Sequence, residues 1–131
     1  MRSEETGVCL LSVTETIDLK TVAPTTIYTV PTGKTCILTE AWLRTSDDCG
    51  ATLDCSIGQS AAPTDFVGTT AGDNLDVAGD VILMKPVPSA TPATNKEYAA
   101  ATAIVFNVAV GATNAGAVAG TLYLFGIEDD A

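Results

Sequence analysis

Gly33-Lys34-Thr35 is the tripeptide that closes a phosphate-binding P-loop, so the stretch around it raises nucleotide chemistry. A P-loop needs a glycine five residues ahead of the Gly-Lys pair, because backbone N–H groups there must wrap the phosphates; Tyr28 holds that position. It also needs a helix opening at Lys-Thr, its N-terminus facing the anion. Here Ile37, Thr39, Ala41 and Leu43 alternate with Leu38, Glu40, Trp42 and Arg44, which is the period of a strand. Residues 31–34 therefore read as a turn, with proline setting the backbone near its entry, that leads hairpin-like into the longest strand.

Other chemistries lack a component. The chain has no histidine, which removes Ser-His and Cys-His pairs. Cysteine activation needs a nearby cation, and residues 46–84 contain neither Lys nor Arg. Carboxylates are abundant and could serve a glycosidase, yet one Trp, three Tyr and three Phe leave little to line a sugar cleft. The expectation is a non-enzyme with no catalytic residue, no cofactor and no metal assigned.

Two further groups of residues could bind ions. Cys9, Cys36, Cys49 and Cys55 show no C-x2-C spacing, so they read as small core residues; a disulfide stays open because their number is even. The acidic loop 71–80 offers Asp73, Asn74, Asp76 and Asp80 as hard oxygen ligands for calcium, although their spacing is not that of an EF-hand. Asp47-Asp48 and Glu128-Asp129-Asp130 read as solvated charge. Trp42 shares a mixed face with Glu40 and Arg44 and has two readings, partly exposed at a contact surface or, the favoured one, a core residue at the sandwich edge.

The elements that would position these residues follow from composition and period. A chain of 131 residues, 47% apolar and 17% charged, is one globular domain in expectation (1–131). Its formal charge of −10 opposes binding to nucleic acid or an anionic membrane and suits a basic partner surface. Glu4 and Glu5 interrupt what would be a signal peptide, and the apolar run 8–11 is too short for one, so a cytosolic product is expected.

In residues 51–58, Ala51, Leu53, Cys55 and Ile57 alternate with polar neighbours, a strand with one buried face. In 102–110, Ile104, Phe106, Val108 and Val110 form one face. The opposite one, Ala103, Val105, Asn107 and Ala109, is small enough to lie beneath another layer or subunit. Residues 116–126 place Val118, Leu122 and Leu124 opposite Thr121, Tyr123 and Phe125; the short Gly/Asn-rich connection between these two runs predicts a β-hairpin. Further strands are predicted at 7–13, 17–21, 25–30, 35–45 and 80–84, with prolines between or at the ends of the runs. Residues 59–79 read as a long polar connection, and 95–101 as at most one helical turn. The sum is all-β: a two-sheet antiparallel sandwich of about eight strands, of jelly-roll type. For the N-terminus two readings stand side by side, an arm over 1–15 that orders on a partner and a local strand at 8–13.

The segments "TIDLKTVAPTTIYTVPTGKTCILTEAWLRT", "DNLDVAGDVILMKP" and "GTLYLFGIE" together resemble the small jelly-roll virion proteins of tailed bacteriophages that decorate, or cement, capsids. The resemblance implies a structural protein of the virion, assembled in the host cytoplasm, that binds the major capsid protein from outside and stabilises the shell. It also implies a homo-oligomer, a trimer being favoured. The alternative is a tail- or fibre-associated jelly roll that binds a receptor or carbohydrate, for which the loops offer Tyr98 and Phe66 as exposed aromatics. A secreted signalling sandwich is set aside for want of a signal peptide.

Overall fold

A computed structural model describes residues 8–86 and 97–131. Nine strands carry the fold: β1 (Cys9–Asp18), β2 (Pro24–Thr29), β3 (Lys34–Thr45), β4 (Asp54–Gln59), β5 (Ala62–Ala71), β6 (Val81–Met84), β7 (Glu97–Tyr98), β8 (Ala103–Val110) and β9 (Ala119–Asp130). No helix occurs among the described residues. One sheet runs β1-β9-β3-β6, with β7 also on β3; the other runs β2-β8-β4-β5, and every pairing is antiparallel. Apart from two-residue β7, the chain partners nest as β1 with β9, β2 with β8, β3 with β6 and β4 with β5. That is the winding of a jelly roll, and the predicted two-sheet sandwich is what forms.

The core lies between the sheets. β8 turns Ile104, Phe106 and Val108 inward, against Leu122 and Leu124 of β9 and Leu38, Ala41 and Leu43 of β3, all buried. Cys55 and Ile57 of β4 face the core as their alternation predicts, but Ser56 and Gly58, on the face expected to be wet, are buried as well. Two tyrosines clasp the layers at their polar margins. The Tyr28 hydroxyl on β2 donates to the Glu128 carboxylate on β9, and Tyr98 on β7 donates to Asp65 Oδ1 on β5 at 2.9 Å. Burial, reinforced by these carboxylates, pushes both phenol pKa values above the usual range.

Several expectations are corrected by the sheet assignment. Runs 102–110 and 116–126 are not a hairpin, since β8 and β9 belong to different sheets. Their connection is pinned to the chain after β1 instead of folding back on itself: Ala112 N–H donates to Leu19 O (2.8 Å) and Leu19 N–H to Val118 O (3.0 Å). The Lys20 ammonium adds bonds to the Asn114 and Gly116 carbonyls. The turn at 31–34 likewise crosses between sheets and does not close a hairpin. Its Lys34 N–H to Pro31 O bond (3.1 Å) and Gly33 φ of +80° follow the type II pattern, in which the third residue needs a positive φ.

The polar connection 59–79 contains β5, an edge strand. Thr64 and Thr69 face water, and a bulge against β4 lets the consecutive Phe66 and Val67 both reach the interior, which breaks the period of two. In place of a helical turn, Glu97 and Tyr98 pair with Ile37 and Cys36, extending along β3 the edge that β6 occupies farther on; residues 95–96 lie outside the described residues. Predicted strands 7–13 and 17–21 overlap one strand, β1, carried through by bulges after Leu10 and Thr14, with Thr16 at φ +59°. Within the segment 1–15, Cys9, Leu10, Ser12, Val13 and Thr14 pair with β9, and residues 1–7 lie outside the described residues.

Candidate functional site: an apolar sheet face

The outer face of β1-β9-β3-β6 follows from register, because directly opposed residues of neighbouring strands share a side. Val13, Tyr123, Trp42 and Leu83 form one row across all four strands. Leu10, Phe125 and Glu40 form the next row; Thr121, Arg44 and Val81 flank the first on its other side. Of these, Leu10, Val13, Trp42, Val81 and Leu83 are large, apolar and exposed, Trp42 at 43% and Leu83 at 50%. Contiguous apolar surface of this kind marks a contact site more often than free surface. The exposed positions of the opposite sheet include threonines such as Thr26, Thr64 and Thr69.

A bulge explains why Trp42 is here and not in the core. Leu38 pairs with Gly126 and Glu40 with Phe125, so Thr39 is an extra residue and the alternation inverts across it. Leu38 and Ala41 are both inward, and Glu40, Trp42 and Arg44 are all outward. The Trp42 ring lies 5.1 Å from that of Phe125, tilted by 49°. Its Nε1–H donates to Glu40 Oε2 at 2.8 Å, and the Arg44 guanidinium sits 5.6 Å over the Tyr123 ring. Among the described residues, Arg44 makes no ion pair; the pair present is Lys34–Asp130 at 2.6 Å, at the far end of β3.

That ion pair occupies the lysine of the P-loop-like tripeptide, while Thr35 continues the strand. In the tail 128–130, Asp129 and Asp130 are exposed as the solvated reading has it, Asp130 also pairing with Lys34, whereas Glu128 is partly buried and accepts from Tyr28. In the acidic loop, Asp80 Oδ2 accepts the N–H groups of Asp76 and Val77 at 3.0 and 3.1 Å, structuring the turn. Among the described residues, no three His, Cys, Asp or Glu side chains gather as an ion site. Phe66 (1% exposed) and Tyr98 (3%) are core residues, not loop aromatics open to a ligand.

All four cysteines are free thiols, with Cys36, Cys49 and Cys55 buried and Cys9 exposed at the start of β1. Burial holds the Cys36 thiol up at about 11 and raises that of Cys49. An aromatic disulfide reagent near pH 8 is expected to label one thiol per native chain within minutes and all four after denaturation. Rapid native labelling of two or more would contradict this burial.

Part of this face was legible in the sequence: Glu40, Trp42 and Arg44 share a mixed face there, and the contact-surface reading of Trp42 is the one that forms. A second signal is apolar residues at both phases of a strand: Tyr123 and Phe125 opposite Leu122 and Leu124, and Ile37 beside Leu38. The small face of 102–110, expected to be covered, belongs to the other sheet.

Fold and surface together define a β-sandwich of jelly-roll winding with one apolar outer face. No protein-family profile and no curated protein matches the chain. Two solved structures share its fold. A chain of the cyanophage Pam1 capsid asymmetric unit aligns with a TM-score of 0.52 and 15% identity, over 92% of this chain and 84% of that one. A chain of the acidic stable capsid structure of the Helicobacter pylori bacteriophage KHP30 aligns with a TM-score of 0.59 and 15% identity, over 95% and 94%.

Proposed function

We propose that this chain is a non-enzymatic structural protein of a tailed-phage virion. In this reading it is a decoration (cement) protein that acts as a single β-sandwich domain, binds the outer shell formed by the major capsid protein, and stabilises it. The observation that carries the reading is the sharing of this fold, across nearly the whole chain, with chains of two phage capsid structures. The chemistry of the surface is compatible: the charge of −10 suits basic patches on a shell. The glycan- or receptor-binding alternative is weakened, because the two loop aromatics it relied on are buried.

The test mixes purified chain with undecorated capsids of the phage that encodes it. Co-sedimentation at saturable stoichiometry and a raised capsid melting temperature are expected. Absence of binding at both low and high salt would overturn the reading.

A further inference from the structure

We propose that the apolar face of β1-β9-β3-β6 is where a second copy of this chain docks, about a two-fold axis that lies between the facing β1-β9-β3-β6 sheets of the two copies and crosses β3 at Trp42. The charges on the face select this occupant. Glu40 and Arg44 stand two residues to either side of Trp42 on the same outward column, in a stretch of β3 whose pairing with β9 is regular. They cancel, so the centre of the patch complements neither a basic nor an acidic partner. It complements itself. A closed two-fold interface requires such self-complementarity, since each patch must meet its own image.

The direction of the axis follows from the same two residues. An axis along β3 would set Arg44 against Arg44 and Glu40 against Glu40. An axis across β3 reverses the strand, setting each Arg44 against Glu40 of the second copy, twice by symmetry, with the tryptophans at the centre. Each charge lies about 7 Å along the strand from Trp42, at ~3.3 Å per residue. The usual ~30° rotation between packed sheets therefore displaces it sideways by only about 3 Å, within reach of an arginine. Both side chains are already directed, Glu40 by the Trp42 Nε1–H and Arg44 by the Tyr123 ring. Leu83 and Val13 flank Trp42 and Tyr123 in the same row and would be covered with them. A chain of charge −10 tends to repel its own copy, and the charge-balanced centre of this face is free of that repulsion.

The inference concerns the free protein and is tested without capsids, by sedimentation velocity of the full chain at roughly 50 µM in ~150 mM salt, where screening is strong. The expected mass is that of two 13.4 kDa chains. Leu83→Glu and Trp42→Glu are expected to give monomers, with circular dichroism and melting curves showing whether each still folds. The decisive set is the charge swap. Arg44→Glu and Glu40→Arg each weaken the dimer at least tenfold, while Glu40→Arg with Arg44→Glu together restores it. A wild-type monomer or trimer overturns the proposal. So does a dimer whose affinity ignores these residues, or a double variant no tighter than the singles.

Discussion

Phe106→Ala is expected to lower the free energy of unfolding by about 3–5 kcal/mol, the range for removing a buried phenylalanine ring. Phe106 is fully buried on β8, the strand held between β2 and β4, and its ring fills the space between the sheets. Both neighbours fix the backbone, so the cavity can collapse little. A domain of this size has about 5–15 kcal/mol in total, and the loss is a large part of that. Urea titration followed by far-UV circular dichroism reads it as a lower midpoint at unchanged slope. Trp42→Ala gives the contrast: the side chain is exposed in the single chain, so truncation there costs roughly 1 kcal/mol. Equal losses at the two sites, measured at a dilution where the chain is monomeric, would mean that Trp42 is inside and the sheet face is misassigned.

Stability should fall steeply above pH 9, with Cys55 a principal cause. Burial, then Asp54 and then Cys49, raises its thiol pKa from 9.0 to about 12. A thiol raised in the folded state keeps its proton after the unfolded chain has released it. Its contribution is therefore complete below pH 9 and is lost as pH rises toward 12. The loss is about 1.4 kcal/mol per pH unit, roughly 4 kcal/mol across the window. Tyr28 and Tyr98, also raised, act in the same direction above pH 10. Cys55→Ala lacks the titrating group. It should be less stable than wild type at pH 7, and the gap should close as the pH passes from 9 to 11. Urea titrations at several pH values under reducing conditions measure this, and a gap that stays constant would refute the burial of Cys55.

The elements that were legible are those whose one buried face repeats every two residues. Leu53, Cys55 and Ile57 point inward as their spacing predicts, and so do Ile104, Phe106 and Val108. Where a bulge inserts a residue the period fails: Phe66-Val67 in β5 hid a strand, and Thr39 in β3 put Leu38 and Trp42, expected on one face, on opposite ones. Partner choice was also hidden. Two apolar runs joined by a short Gly/Asn-rich segment look like a hairpin, but Leu19 and Lys20, distant in sequence, hold that segment and send the chain to the other sheet.

What the sequence determined by itself is the class of fold and the chemistry to be set aside. Period-two apolar runs separated by turns specify an all-β sandwich, and the lack of histidine together with Tyr28 at the P-loop glycine position removes nucleophilic-triad and P-loop readings. Only the tertiary structure decided which face of which sheet is available for contact. A strand with apolar residues on both sides does not encode which side is covered. That depends on register and bulges across β1, β9, β3 and β6, which bring Val13, Tyr123, Trp42 and Leu83 into one row from positions far apart in the chain.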